Sequence, residues 1–325
     1  MTHFFPHGRR SPARPYRSVF AFLSLLALAI PTGFPFATSA GPAARADDSG
    51  DNRLWLVTAH MPDTVAIVDA EGKILWSLGR DDGVEHPQDA CVMPDGNLFL
   101  SVKTGARMVR VDTGELLWKW NVPEGAENPV AQPLGNGRFL VGAEGPCELF
   151  EINGEGRACR EIQIPDCPFQ GRHGQFRFCR KTSLGTYLVP MISSGVLREY
   201  SADGTRIRQI PQGGVPVSAV RLPNGDTLTG NGTAVEIYNS ENMLVWRFDA
   251  VADGGMGPGL VAAVSLLRDG SVLFGYYQAG DEADFAIVSR DKKIALKVAL
   301  PDIRNLACVQ LLDRQMKPSG EVVAR

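Results

Sequence analysis

An all-β ring, a six-bladed β-propeller of four-stranded antiparallel blades, is the fold class that this 325-residue sequence predicts. Three observations predict it: a turn that recurs at a regular period, short β-rich runs between the turns, and two chain ends that each lack what the other supplies. The turn stands in "HPQDACVMPDGNLFLSV" (His86 to Val102), "VSAVRLPNGDTLTG" (Val217 to Gly230) and "VAAVSLLRDGSVLFG" (Val261 to Gly275). Looser copies are "NPVAQPLGNGRFLVG" (Asn128 to Gly142) and "FRFCRKTSLGTYLVP" (Phe176 to Pro190). The turn glycines Gly96, Gly137, Gly185, Gly225 and Gly270 are spaced by 41, 48, 40 and 45 residues. A period of this size built of short strands marks a propeller blade. The 272 residues from Leu54 to the end hold about six such units.

The chain opens outside this pattern. Arg9, Arg10, Arg14 and Arg17 form a basic head, followed by the apolar run "VFAFLSLLALAI" (Val19 to Ile30). That run falls short of the roughly 20 residues that span a bilayer and has the length of a signal-peptide core. "ARA" (Ala44 to Ala46) supplies a small-x-small cleavage site. The expectation is a signal peptide over 1–46 cleaved after Ala46, a short linker over 47–53, and a single propeller domain over 54–325. The protein is then secreted or periplasmic. Without the signal the chain carries 28 Lys+Arg against 36 Asp+Glu, so it offers no basic footprint for nucleic acid. No second apolar segment reaches spanning length, so no membrane span is expected in the mature chain.

Each unit reads as four strands. In the second, "DACVM" is innermost and "NLFLSV" next, joined by the Pro-Asp-Gly turn; "RMVRVD" and "LLWKWNV" follow. Asp-Gly, Asn-Gly and Thr-Gly pairs between alternating runs are hairpin signals. Outer strands recur as "ILWSLG", "LLWKW" and "LVWRF", whose shared Trp is expected between blades. No helical period stands out. The N-terminal part supplies only three strands, "LWLVTAH", "TVAIVDA" and "KILWSLG", and the C-terminal part a lone innermost-type strand, "LACVQLLD" (Leu306 to Asp313). Pairing the two completes the sixth blade and removes the open edges of the ring.

"LVTAHMPDTVAIVDAEGKI" (Leu56 to Ile74) resembles the YVTN-type propeller repeat, and "VRVDTGELLWKW" (Val109 to Trp120) is similar to the repeat of PQQ-like, or quinoprotein-like, propellers. The resemblance is to small exported bacterial PQQ-like or WD40-like propeller proteins. It implies the architecture and leaves the chemistry open, because such proteins range from enzymes to scaffolds. PQQ itself is not expected: quinone-binding relatives carry more blades and an adjacent cysteine pair, which this sequence lacks. No cofactor is predicted. Lactonase-type six-bladed propellers hold calcium with acidic and amide side chains, but no EF-hand-like run is present here.

Function on a propeller gathers where loops from outer to next inner strand ring the axis. Those loops are Asp81 to Gln88, Glu124 to Pro129, Pro165 to Gln175, Gln212 to Val217, Ala252 to Gly259 and Pro301 to Asn305. The first three and the last, with Asp89 adjoining the first, carry His86, Asp89, Glu127, Asn128, Arg172, His173, Gln175, Arg304 and Asn305 as candidate ligand-binding residues. His86 and His173 are the candidates for holding a metal ion or carrying a proton. Arg172 and Arg304 suit an anionic ligand group. The bland alternative is that these side chains satisfy loop backbone or face water. His60 reads as a strand-end residue without a role.

All six cysteines lie after the predicted signal; Cys147, Cys159, Cys167 and Cys179 fall within 33 residues. One bridge inside that group is expected, while Cys91 and Cys308 read as small buried apolar residues. No nucleophile elbow, Walker loop, HExxH or Cys-x-x-Cys occurs. The leading functional expectation is an exported binding or interaction module that presents its axial loops to a protein, glycan or small-molecule partner. The competing one is a metal-assisted hydrolase or lactonase at the mouth of the central channel.

Overall fold

The computed structural model describes residues 53–167, 171, 173–279 and 283–325. The predicted signal peptide, most of the linker and Arg172 lie outside the described residues.

Six antiparallel sheets form the six blades. Blade two is Ala90–Val92, Asn97–Val102, Gly105–Arg110 and Leu116–Asn121; blade three is Gln132–Gly135, Arg138–Ala143, Glu148–Asn153 and Ala158–Gln163. Blade four is Arg180–Lys181, Tyr187–Met191, Val196–Tyr200 and Arg206–Pro211, and blade five Pro216–Arg221, Thr227–Asn231, Ala234–Tyr238 and Leu244–Asp249. Blade six is Leu260–Leu267, Val272–Tyr277, Phe285–Val288 and Ile294–Val298. Blade one joins the two ends of the fold: Arg304–Leu312 pairs with Leu54–Met61, followed by Asp63–Val68 and Ile74–Gly79. Its register sets Val57 opposite Val309 and Leu56 opposite Gln310. Among the described residues the only helical pieces are 3-10 turns at Arg80–Asp82 and Ile192–Ser194.

The recurring turn has one physical basis. All five turn glycines sit at φ between 67° and 90°, a region that residues with a Cβ enter at a cost. In the tighter copies the residue before the glycine also accepts a backbone bond. Asp95 Oδ1 takes Asn97 N–H at 3.0 Å, and Asp269 Oδ1 takes Ser271 N–H at 2.9 Å.

The core is divided among the interfaces between neighbouring blades. Leu56, Val65 and Ile67 of blade one meet Leu98, Leu100 and Val109 of blade two. Phe99 and Met108 of blade two meet Phe139, Val141 and Ile152 of blade three. Each such fully buried side chain contributes about 1.5–3 kcal/mol. The outer-strand tryptophans do lie between blades: the Trp118 ring is 5.5 Å from Phe139, and Trp246 Nε1–H donates to Arg290 O at 2.9 Å.

Two details depart from the sequence reading. The third strand of blade two begins at Gly105, two residues early, because Lys103 and Thr104 already make the hairpin turn. Blade six has a fifth strand, Val322–Ala324, paired on the axial side of Leu260–Leu267. The final residues therefore run inside the ring, where Arg325 donates to Ala90 O and to Cys308 Sγ.

Candidate functional site at the mouth of the ring

His60, His86 and His173 come from three separate segments and meet. His60 closes the strand Leu54–Met61, and its Nε2–H donates to Pro87 O at 3.0 Å. That bond ties it to the loop carrying His86, whose backbone is left-handed at φ 47°. The two rings stack at 3.9 Å between centroids, and His173 lies 6.1 Å from His86. Tyr277, at the end of Val272–Tyr277, meets His60 edge-on at 5.5 Å.

A charged wall backs His173. Glu127 and Glu144 face each other across an antiparallel bridge, with backbone bonds of 3.2 and 2.8 Å. Glu144 is buried and accepts from Gln175 N–H (2.6 Å), Phe176 N–H (3.1 Å) and Arg177 (2.5 Å). The other arm of Arg177 reaches His173 Nε2 at 2.9 Å. A guanidinium can only donate, so Nε2 accepts, and Nδ1–H is left to donate to Glu127 Oε2 at 2.8 Å. Lys103 Nζ stands 3.8 Å from Glu127.

Burial and neighbouring charge tune these groups. Burial, aided by His86, brings the His60 pKa down to about 4. Burial also lowers His86, against the pull of Asp63 and Glu127. Burial works to raise Glu127, but its hydrogen bond and charge pairing with His173, with help from Lys103 and Arg177, hold it below the usual carboxylate value. The stacked pair thus presents uncharged imidazole at neutral pH beside a charged Glu–Arg wall.

The remaining predicted residues go elsewhere. Asp89 is wholly buried below the mouth, where Arg180 grips it at 2.6 and 3.1 Å and Ala131 N–H donates to it at 2.9 Å. Asn128 is also buried; it donates to Gly105 O and accepts from Val130 and Gly142 N–H, which holds two blades in place. Gln175 is buried and braces Gly145 on both sides of its amide. Arg304 lines an open cleft of about 480 Å³ with His60, Asp63 and Arg80. Asn305 lies beside it and donates to Met61 Sδ at 3.1 Å.

His60, read from the sequence as roleless, is at a strand end but belongs to the cluster. Glu144, Arg177 and Tyr277 were not singled out at all. Strand-end position at the mouth rim is the one signal that would have found them.

Beside the polar wall lies an apolar collar. Phe178, Val217, Ala262 and Ala307 pack together from four blades, with Val215 and Tyr277 against them. Below the collar, Arg180, Arg325, Cys308 and the inner strands leave a void of about 10 Å³, room for roughly one water. Arg325 stands among the inner strands there, so the axis beneath the mouth is not an open channel.

Among the described residues, the donors that converge for a cation are Glu127, Glu144 and His173, within 4.8 Å of one another. His86 is not among them. Arg177 already occupies the space between Glu144 and His173, so an ion there would have to displace a guanidinium.

No protein-family model matches the sequence, and no curated protein matches it. Among solved structures, a protein of unknown function from Bacteroides caccae is similar with a TM-score of 0.72 at 23% identity, over 80% of this chain and 99% of that one. A catalytically inactive histidine-to-alanine variant of virginiamycin B lyase from Staphylococcus aureus, bound to quinupristin, is similar at 0.55 and 9% identity, over 79% and 87%. A streptogramin B lyase follows at 0.52 and 13%, over 67% and 70%. Identities this low speak for the fold alone, and at that level the chain is a β-propeller repeat protein with six blades.

Proposed function

We propose that this chain is an exported binding module whose mouth takes a small amphipathic organic ligand or a partner segment of that character. The observation that carries the reading is the convergence of His60, His86 and His173 with Tyr277 and Arg177, next to an apolar collar. Concave sites that pair apolar walls with a few placed polar groups are the usual form of small-ligand pockets. The imidazole rings and Tyr277 offer stacking and single hydrogen bonds, and the collar covers an apolar group.

The test is a screen of aromatic carboxylates, amides and amines against the full chain, followed by the ring resonances of the three histidines. Binders are expected to shift His60 and His86, and His86→Ala and Tyr277→Ala to weaken them tenfold or more. Binders that shift other residues instead, or that bind both variants normally, would defeat the reading. Export is tested separately by the N-terminus of the protein recovered from outside the cytoplasm, expected at Asp47.

The second reading is a metal-assisted hydrolase or lactonase at the same mouth. It is favoured by the Glu127–Glu144–His173 donor set. It requires Arg177 to swing off Glu144, and it predicts turnover that chelator abolishes.

A further inference from the structure

We propose that Cys147 and Cys167 are a disulfide pair that staples the hairpin carrying Glu144 to the chain leaving blade three. The hairpin between Arg138–Ala143 and Glu148–Asn153 is only the four residues Glu144 to Cys147. Cys147 closes it with a left-handed backbone, φ 63°, which is unusual for a residue with a side chain. Its carbonyl accepts Ile164 N–H at 3.1 Å, which brings in the strand exit three residues before Cys167. The two thiols then hydrogen-bond to each other. Both sit in the apolar cluster between blades three and four.

The other cysteines fit the role less well. Cys159 is exposed on the outer strand, and Cys91 and Cys308 belong to the axial wall beside Gln310 and Arg325. Cys179 shares the cluster but is completely buried, out of reach of an external oxidant. Cys167 is only half-buried, so an external oxidant can reach it.

The oxidant is a small or protein disulfide, as in any thiol–disulfide exchange. The Cys167 thiolate attacks one sulfur of that disulfide and expels its partner as a thiol. The Cys147 thiolate then attacks Cys167 Sγ in the mixed disulfide and expels the second thiol. Two protein thiols become one S–S bond, and the oxidant disulfide becomes two thiols, which take up the two protons released. The bond to Cys167 and burial both raise the Cys147 thiol, so Cys167 reacts first and Cys147 attacks only once the mixed disulfide lies against it. The bridge would fix Glu144, and through it Arg177 and His173, so the charged wall of the mouth becomes redox-sensitive.

The full chain is equilibrated in oxidised and reduced glutathione, alkylated, and mapped by non-reducing peptide mass spectrometry. The expected result is one linkage, Cys147 to Cys167, with Cys179 alkylated only after unfolding. A melting temperature about 5 °C lower after reduction is expected from a loop of this length. Six free thiols under oxidising buffer, or a bond from Cys147 to Cys179, overturns the proposal. The mapping uses the unmutated chain, so its answer does not depend on whether cysteine variants fold.

Discussion

His60 shows how one side chain can report on the whole mouth. Its pKa is about 4 in the fold against an ordinary 6.5, because burial and the stacked His86 oppose a second positive charge. Between those values the unfolded chain binds a proton that the folded chain refuses. Stability is therefore full above pH 6.5, falls as the pH drops toward 4, and loses nothing more below that. The full effect amounts to about 3 kcal/mol, and His86, shifted in the same direction, adds to it. Denaturant unfolding of His60→Asn at steps from pH 4 to 7 is expected to show a flatter stability–pH curve than the parent. An equal slope would place the titrating group elsewhere. At this scale the sequence was only partly legible. His86 and His173 stood out because they lie in loops that break the repeat. His60, Glu144, Arg177 and Tyr277 sit at strand ends or just beside the strands, where the repeat pattern hides them. Only closure of the ring brings them within bonding distance.

At the scale of the element, the turns were the most legible feature, because their chemistry is local. An Asp or Asn that accepts a backbone N–H two residues on, followed by a glycine at positive φ, needs no tertiary partner to be recognised. The inner strand of each blade could be placed from the turn that follows it. The strand Val322–Ala324 could not. It is three residues long, its ladder sets only Leu266 against Ala324 and Leu267 against Val322, and its sequence carries no alternation. It is a strand because the axial edge of Leu260–Leu267 presents unpaired backbone groups in a space that leaves no other partner. The same reasoning explains Asp89 and Asn128. Polar residues ahead of a turn look like ligands in a sequence. Here the inner wall requires their oxygens to satisfy buried N–H groups, Ala131 for the first and Val130 and Gly142 for the second.

The molecule as a whole depends on the closure of blade one. Arg304–Leu312 pairs along the full length of Leu54–Met61, and it gives Leu306, Val309 and Leu311 to the cluster between blades six and one. Its Gln310 crosses to blade two, where Oε1 accepts Val92 N–H at 2.8 Å and Nε2 donates to Val92 O at 3.2 Å. Loss of one buried aliphatic side chain costs about 2–5 kcal/mol. Three lost together match the roughly 5–15 kcal/mol that holds a domain folded. A chain ended at Asp302 would also leave Leu54–Met61 as an open, largely apolar edge, prone to pair with other copies. Such a chain is expected to lose its cooperative thermal transition and its near-ultraviolet circular dichroism and to sediment as aggregates. A synthetic peptide spanning residues 303–325, present in excess while the truncated chain refolds from denaturant, is expected to restore the transition, because it supplies the strand and the buried side chains that complete blade one. A truncated chain that melted cooperatively at the parent temperature would mean that five complete blades hold the ring without the latch.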